Sequence, residues 1–500
     1  MFVRRATISS ATVLALAIAG TLSANAAPNN NSPEKLTKAV TLGGVLEHAR
    51  ALEDIADAND GHRASGTPGY DQSVDYVESR LRAAGYQTER QEFTFPYFEQ
   101  VAPSHLERTA PAATSYVEGD DFLTMDYSGS GDVTAAVAAV DVQIPPGPAA
   151  NSSTSGCEAA DFAGFTAGSI ALMQRGTCGF AVKAANAEAA GASGAIIFNE
   201  GQPGRDALFG GTLGGPGIEI PVVSAPYSLG QQLAAGGTEV HLSASTVSEE
   251  RTTSNLIAQT GKGRTDQVLV AGAHLDSTPD GPAINDDGSG SAVLLEIAEQ
   301  MRKVKPSNAV RFIWFGAEEN GLLGSEYYVD NLSEDALAAI KGYLNFDMLG
   351  SPNYVRFVYD GDENGETVDP IAKVFYDYFE SRNLPAKDSS IAGGSSDYAP
   401  FKLAGVPVGG VFTGAGGIKT VEEAAIWGGT AGIAYDPNYH TAEDRVGSLN
   451  QTILDQNADA AATAISTFSS DLTALGGESV PGKSRGPAKP MKKDASLLRR

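Results

Sequence analysis

The chain has 500 residues, of which 42% are hydrophobic and 19% are charged, and this is enough for two domains with their own cores. Its formal net charge of −26 argues against nucleic acid and anionic membranes as partners, because both are polyanions. The same acidic balance favours solubility.

The first 27 residues have the pattern of a secretory signal peptide. Arg4 and Arg5 precede an apolar run over Ala11–Leu22, and small residues suited to signal peptidase follow. The run is too short for a stable membrane span, and no later stretch is long and apolar enough to make one. We therefore expect a secreted, extracellular protein without a membrane span. The Asn/Pro-rich leader at 28–35 is expected to be disordered or removed.

Two helices and a strand are predicted next. Leu42–Ala56 and Gln72–Ala84 have helical periodicity, and Gly85 suits the end of the second helix. Tyr86–Phe95 alternates like a strand. His62 lies in the loop between the helices, and we expect it to be structural.

Composition changes over 128–247, which is rich in Ala, Gly and Val and poor in charge. Strands are predicted at Asp132–Val142 and Ser169–Gln174, and His241 is expected to be a surface or strand histidine. Cys157 and Cys178 are the two cysteines of the chain. In an exported protein such a pair predicts a disulfide, which would contribute about 3 kcal/mol in the chain-entropy model.

The region 248–475 alternates short apolar strands with helices, which predicts an α/β fold with a mostly parallel mixed sheet flanked by helices. The predicted strands are Ser254–Gln259, Val268–Ala273, Arg311–Gly316, Leu344–Met348, Tyr354–Tyr359 and Val406–Phe412. The predicted helices are Ala292–Met301, Ile371–Arg382 and Ile453–Leu472. The basic tail at 476–500 has little apolar content and is expected to be disordered.

Polar residues with metal-binding side chains follow several of these strands, where open α/β sheets place their sites. They are His274, Asp286, Glu319, Asp347 and His440. Two imidazoles and three carboxylates are a ligand mix that zinc favours. Asp276 is two residues after His274 and can accept the other ring N–H, which would fix the tautomer.

Glu318 and Glu319 are adjacent at the end of a predicted strand. If the backbone is extended there, their side chains point to opposite sides. One carboxylate could then bind metal while the other stays free as a base.

The motifs AHLDS, INDDGSGSA, FGAEENGLLGS, LNFDMLGSPN and NYHTAED resemble those of the co-catalytic di-zinc aminopeptidases of peptidase family M28. The likeness covers about 255–469 and is greatest to the secreted streptomycete-type leucine aminopeptidases. It implies a zinc exopeptidase fold with two Zn²⁺ per chain. By this resemblance His274 and Asp347 hold one zinc, Glu319 and His440 hold the other, and Asp286 bridges them.

The resemblance also implies a reaction, in which a zinc-bridging water attacks the scissile carbonyl with Glu318 as general base. Tyr439 would hydrogen-bond the developing oxyanion. Met348 and Phe412 would line the side-chain pocket, so we expect release of large hydrophobic, leucine-like residues from peptides and protein N-termini. We expect a monomer. Some relatives bind calcium, which makes calcium a further candidate cation, although the sequence places no site for it.

A second resemblance concerns RGTCGFAVKAANAEAAGASGAIIFN, which is similar to the protease-associated (PA) domain. It implies a β-rich PA domain at 128–247, inserted between an N-terminal part of the peptidase domain at 36–127 and a zinc peptidase core at 248–475. Such a domain is usually associated with substrate access or partner contacts, and the alternative is that it only covers a face of the core.

The sequence departs from the streptomycete pattern at two places. Ser395 stands where the relative has an arginine, which leaves the side-chain preference open. Asn438 and Glu443 stand where the relative has cysteines, so the loop around His440 is not expected to be stapled. Alternative functions on the same scaffold are a dipeptidase or carboxypeptidase, a single-zinc glutaminyl cyclase, and a receptor-like protein that has lost its ligands.

Overall fold

The computed structural model of the protein describes residues 29–360 and 368–475. The expected signal peptide and basic tail lie outside the described residues. The helices are α1 Pro33–Ala39, α2 Leu42–Asp57, α3 Pro68–Ala84, α4 Phe180–Ala189, α5 Tyr227–Leu233, α6 Gly290–Met301, α7 Leu323–Asp330, α8 Glu334–Ala339, α9 Pro370–Glu380, α10 Tyr398–Leu403, α11 Val421–Trp427 and α12 Gln451–Ser470.

The strands are β1 Gln87–Ala110, β2 Thr114–Tyr116, β3 Leu123–Thr124, β4 Gly131–Ala139, β5 Ile170–Gln174, β6 Gly194–Phe198, β7 Val222–Ala225, β8 Glu239–Gln259, β9 Arg264–His274, β10 Asn308–Phe315, β11 Ile340–Phe346, β12 Phe357–Asp360, β13 Lys387–Ser390 and β14 Val408–Phe412. Over the described residues they join into one sheet in the order β13-β12-β14-β11-β9-β10-β8-β4-β5-β6-β7-β3, with β1 and β2 paired beside β8.

The centre of the sheet is parallel, as its sequence predicts. Strand β9 lies between β10 and β11, both parallel to it, and β14 is parallel to β11. Alternate residues of β9 enter two different cores, with Leu269 and Ala271 packing under α2, α6 and α12 and Val268 and Val270 packing under α7 and α10. Because both faces are covered, the strand reads as a continuous apolar run. The predicted α/β class, with a large sheet flanked by helices, is confirmed.

A long antiparallel ribbon connects this centre to the region of changed composition. Strands β1 and β8 pair from Gln87 opposite Gln259 to Ala110 opposite Glu239. The edge of β8 that faces away from β1 pairs with β10 at one end of the ribbon and with β4 at the other end. Beyond β4 the sheet continues through the parallel strands β5, β6 and β7, which have their own cores.

The predicted disulfide between Cys157 and Cys178 is confirmed. Helix α3 begins at Pro68, earlier than expected, because proline fits the first position of a helix. Strand β1 continues well beyond Phe95, since β8 supplies a partner that the sequence of β1 alone does not reveal.

The described part of the leader differs from the expectation of disorder. Helix α1 begins at Pro33, and the Asn30 side chain donates to the Gln300 carbonyl at 2.9 Å. Within residues 29–360 and 368–475, none of the helices combines the length and apolarity that a membrane crossing requires.

Candidate active site

Three neighbouring strands of the parallel centre end in polar residues at the same edge of the sheet. His274 is the last residue of β9, Asp347 follows β11, and the pair Glu318 and Glu319 follows β10. The apolar residues of each strand fill the layer between the helices, and the polar residues begin where that layer ends. Carboxyl ends of parallel strands are where such folds hold their ligands.

Asp286 lies between the two imidazoles. One of its carboxylate oxygens is 3.1 Å from Nε2 of His274, and the other is 3.2 Å from Nε2 of His440. The Nε2 atom of His440 is also 3.1 Å from Oε2 of Glu319. The structure therefore brings these four residues, which are far apart in the sequence, within direct reach of one another.

Glu318 and Asp347 approach the same ring nitrogen of His274 that Asp286 faces. Their nearest carboxylate oxygens are 3.9 Å and 3.8 Å from Nε2 of His274. The second oxygen of Asp347 accepts a hydrogen bond of 2.6 Å from the Ser396 hydroxyl, and Ser396 also accepts one from Asn345. Sequence analysis did not identify Ser396, which fixes the orientation of Asp347.

The backbone that carries the two glutamates is a turn, and the expectation of an extended segment is wrong. Ala317 has a φ of +53°, and the Glu318 carbonyl accepts from the N–H groups of Gly321 and Leu322. The side chains still diverge, since Glu318 faces His274 and Glu319 faces His440. The divergence comes from the turn and not from strand alternation.

Asp276 shapes this turn. Its two carboxylate oxygens accept the N–H groups of Glu318 at 3.3 Å and Glu319 at 3.4 Å. Nδ1 of His274 is 3.1 Å from the main-chain carbonyl of Asp276 and 3.6 Å from its carboxylate. The nearest acceptor for that ring nitrogen is thus the main-chain carbonyl of Asp276.

Asp286 is held by residues from the segment that carries His440. Asp444 accepts the backbone N–H of Asn285 at 2.7 Å and that of Asp286 at 3.1 Å. The Asn285 amide also donates to Asp436 at 2.6 Å. This network joins the two loops that present Asp286 and His440.

The fully buried Arg63 binds the loop that follows β9 and leads to Asp286. Its guanidinium donates to the main-chain carbonyls of Leu275, Pro282 and Ala283. Sequence analysis did not identify Arg63. The only indication of a structural role in the sequence was that Arg63 follows His62, which was expected to be structural.

Tyr439 stacks on His440 with the ring centroids 3.8 Å apart. Met348 and Phe412 lie at the ends of the neighbouring strands β11 and β14, where Phe412 also stacks between aromatic rings. Met348 and Phe412 therefore lie near the same carboxyl edge of the sheet as His274 and Asp347.

The three positions that depart from the streptomycete pattern lie in loops. Ser395 donates its backbone N–H to the Tyr398 hydroxyl at 3.2 Å. The Asn438 carbonyl accepts from Thr441, and Glu443 is exposed.

Burial and charge oppose each other in the site. Burial raises the pKa of Glu318 well above its usual value and that of Glu319 to about 7. Burial alone would lower the pKa of His440, but the carboxylates of Asp286 and Glu319 raise it to about 11. Such a concentration of buried carboxylates, with two imidazoles to balance it, favours the binding of cations.

Unpartnered atoms support the same conclusion. Buried oxygens of Glu319, Asp347 and the neighbouring Asp287 have no hydrogen-bond partner. His274 belongs to two groups whose donor atoms lie within 4.8 Å of one another, one with Asp286 and Glu319 and one with Asp287 and Asp347. Buried polar atoms are normally satisfied, so these donors fit metal ions as the missing partners.

Comparisons with known proteins agree with this geometry. The family model described as Peptidase family M28 matches residues 255–465, and the PA domain model matches residues 133–233. An aminopeptidase of Pseudomonas aeruginosa is 43% identical in an alignment 482 residues long that covers 94% of this chain and 89% of the relative. The chain belongs to peptidase family M28. It is a metallo-aminopeptidase with a PA domain.

Other relatives of this M28 aminopeptidase agree. A probable leucine aminopeptidase 2 of Aspergillus oryzae is 37% identical, covering 89% of this chain and 88% of the relative. Among solved structures, an aminopeptidase from Aneurinibacillus sp. strain AM-1 matches with a TM-score of 0.62 and 28% identity, over 87% of this chain and 95% of that one. A zinc aminopeptidase of Bacillus subtilis matches with a TM-score of 0.56 and 26% identity, over 85% and 94%.

Proposed function

We propose that this protein is a secreted, zinc-dependent aminopeptidase that releases leucine-like residues from the N-termini of peptides. The observation that carries the proposal is the position of Asp286, whose two oxygens lie 3.1 Å and 3.2 Å from Nε2 of His274 and His440. A carboxylate that faces two imidazoles with different oxygens is suited to hold two ions at once.

The remaining donors divide between the two sides of Asp286. His274 and Asp347 would hold one zinc, and Glu319 and His440 would hold the other. When bound, zinc acts as a Lewis acid and lowers the pKa of water toward neutrality. The zinc aminopeptidase of Bacillus subtilis, which shares this fold, supports the choice of metal.

Glu318 has the properties of a general base. It is almost fully buried, and burial raises the pKa of its carboxyl well above its usual value. A carboxylate with a raised pKa can take the proton of the attacking water and return it to the leaving amine at neutral pH. A positioned base of this kind typically contributes about 10²–10⁴ to the rate.

Tyr439 would stabilise the oxyanion. Burial raises the pKa of its hydroxyl far above the usual value, so the group stays protonated and can donate a hydrogen bond. Its ring is held against His440 by stacking at 3.8 Å, which keeps the hydroxyl near the metal-binding carboxylates.

Specificity for an N-terminus would come from the acidic side chains around His274. Glu318 and Asp347 both lie within 4 Å of its Nε2 and can bind the substrate's ammonium group. Met348 and Phe412 would contact the first side chain. The relatives named leucine aminopeptidase 2 support a leucine-like preference.

Secretion and assembly are the last parts of the proposal. The disulfide between Cys157 and Cys178 supports export, because such bonds persist in oxidising compartments. We propose a monomer.

The two adjacent glutamates provide the sharpest test of the roles. Glu318→Gln should retain its zinc and its affinity for free leucine, while kcat falls by about 10² or more, because an amide cannot accept a proton. Glu319→Gln should first lose zinc, since a neutral amide is a weaker ligand than a carboxylate. Zinc content and leucyl-substrate turnover are measured on both variants. If Glu318→Gln loses zinc and Glu319→Gln keeps it, the assignment is inverted.

The type of reaction is tested with blocked substrates. Free leucyl peptides should be cleaved and N-acetylated ones should resist, and a chelator should abolish activity that added zinc restores. Equal rates on both peptides would indicate a carboxypeptidase or an endopeptidase. A cyclised product without hydrolysis would indicate glutaminyl cyclase activity.

A further inference from the structure

The far end of the β1–β8 ribbon carries a cluster of polar side chains on its outer face. Strand β8 is central here, between β1 and β4. Glu107 of β1 is directly opposite His241, and both His105 of β1 and Asp132 of β4 are opposite the next outward residue of β8, Ser243.

Strand alternation puts these four side chains on one face. Leu106 lies between His105 and Glu107, and Val240 and Leu242 flank His241; all three point inward and are fully buried. The register therefore brings two imidazoles and two carboxylates together on three hydrogen-bonded strands. We call His105, Glu107, Asp132 and His241 the outer-face cluster.

The distances within the outer-face cluster are short. Nε2 of His241 is 2.8 Å from Oδ1 of Asp132, and Nε2 of His105 is 3.5 Å from Oε2 of Glu107. The two imidazole rings are 4.9 Å apart. Donor atoms of His105, Glu107 and His241 all lie within 4.8 Å of one another.

This donor set has the chemistry of a zinc site. Two imidazoles with one or two carboxylates are characteristic ligands of zinc and neighbouring transition ions, whereas calcium prefers oxygen ligands alone. Ligands of a tetrahedral zinc lie roughly 3.3 Å apart, given zinc–nitrogen distances of about 2.0–2.1 Å. The ligand atoms would therefore have to move by about an ångström, through rotation of their side chains, for the outer-face cluster to coordinate one ion.

We propose that the outer-face cluster is a further binding site for a zinc-class divalent ion, separate from the catalytic centre. It shares none of the residues at the ends of β9, β10 and β11. An ion held there crosslinks β1, β8 and β4 where the ribbon enters the PA domain. Binding therefore stabilises the junction between the two parts of the protein.

Another group of metal-binding side chains is less suitable. His48 lies 3.9 Å from Glu296 and 4.0 Å from Glu299. Arg80 already pairs with Glu299 at 2.6 Å and brings a positive charge into that group. The outer-face cluster has no such ion pair with Lys or Arg among the described residues.

Zinc stoichiometry tests the proposal on the full-length, zinc-loaded enzyme. Wild type and the double variant His105→Gln/His241→Gln are equilibrated with rising free Zn²⁺, and bound zinc is measured by elemental analysis. The wild type should bind one equivalent more than the variant. The difference does not depend on how many ions the catalytic centre holds. The temperature of unfolding should rise with added Zn²⁺ more in the wild type than in the variant, and added Ca²⁺ should not reproduce the shift.

Glu107→Gln and Glu239→Gln form a matched pair. Both remove one carboxylate from the same face of the ribbon, but Glu239 lies beside Thr109, with which it forms a 2.8 Å hydrogen bond. Glu107→Gln should weaken the additional zinc binding, and Glu239→Gln should not. All variants should retain leucyl-substrate turnover, which shows that they are folded. Equal zinc binding by wild type and the double histidine variant, or equal effects of the two glutamate variants, would overturn the proposal.

Discussion

Asp276 is expected to affect catalysis without contacting the substrate, because it holds the turn that carries Glu318 and Glu319. Its carboxylate accepts the N–H groups of Glu318 and Glu319 and lies 3.6 Å from Nδ1 of His274. In Asp276→Asn, one of the two oxygens becomes an NH₂ group that faces a backbone donor. The variant therefore loses one of the two hydrogen bonds that hold the turn.

The size of the effect follows from that loss. A hydrogen bond to a charged group contributes about 1.5–3 kcal/mol, and the long distances of 3.3 Å and 3.4 Å favour the lower part of this range. Since about 1.4 kcal/mol corresponds to tenfold, kcat/KM should fall by roughly 10- to 40-fold. Side chains that orient metal ligands typically have effects of this order, about 10–100-fold.

The assay combines steady-state kinetics on a leucyl substrate with zinc content at limiting free zinc. Asp369→Asn is the matched control, because Asp369 also accepts a backbone N–H, that of Ile371 at 2.7 Å, at the start of α9 and away from the site. The control should keep wild-type kcat/KM. If Asp276→Asn matches the control in both rate and zinc content, the turn does not depend on Asp276 and the reasoning is wrong.

Three further predictions concern stability and the support of the site. The double variant Cys157→Ser/Cys178→Ser should lower the stability of the PA domain by about 3 kcal/mol, measured by calorimetry, and change leucyl turnover much less; an unchanged unfolding profile would contradict this. Burial lowers the pKa of Lys183 from 10.5 to about 8. Below pH 8 the buried ammonium is charged and lowers the stability of the folded protein by its full amount, and this destabilisation is relieved as the pH rises from 8 toward 10.5. Thermal unfolding should show stability rising in this window, and Lys183→Met should abolish the rise; an equal rise in the variant would exclude Lys183. Ser396→Ala removes the 2.6 Å hydrogen bond to Asp347 and should reduce kcat/KM by roughly tenfold. An unchanged kcat/KM would show that Asp347 does not depend on this hydrogen bond for its orientation.

The parts of the fold that the sequence predicts are those set by local patterns. The apolar run before His274 predicts a buried parallel strand, and the polar residue after it marks the edge of the sheet. The disulfide was predictable from the number of cysteines and the expected export. These features depend on a few neighbouring residues, and the structure changes little about them.

What the sequence does not predict depends on contacts between distant segments. Asp444 fixes the backbone of Asn285 and Asp286, although 158 residues separate Asp444 from Asp286. The turn at Glu318 follows from the positive φ of Ala317, which no pattern of apolar and polar residues encodes. The length of β1 depends on β8, whose pairing starts more than 100 residues later in the chain.

The pairing of Ala110 with Glu239 at the tip of the ribbon determines how the PA domain is connected to the catalytic sheet. The segment 111–238 leaves the ribbon at its tip and returns there, and its strands β2 and β4 pair with β1 and β8 along the edges of the ribbon. Joining the two strands by a short turn would leave an ordinary β-hairpin next to β10, with the strand order around β9 unchanged. The residues 133–233 that match the PA domain model therefore enter the chain as an insertion at the tip of a hairpin, and the strand order of the catalytic sheet does not depend on them.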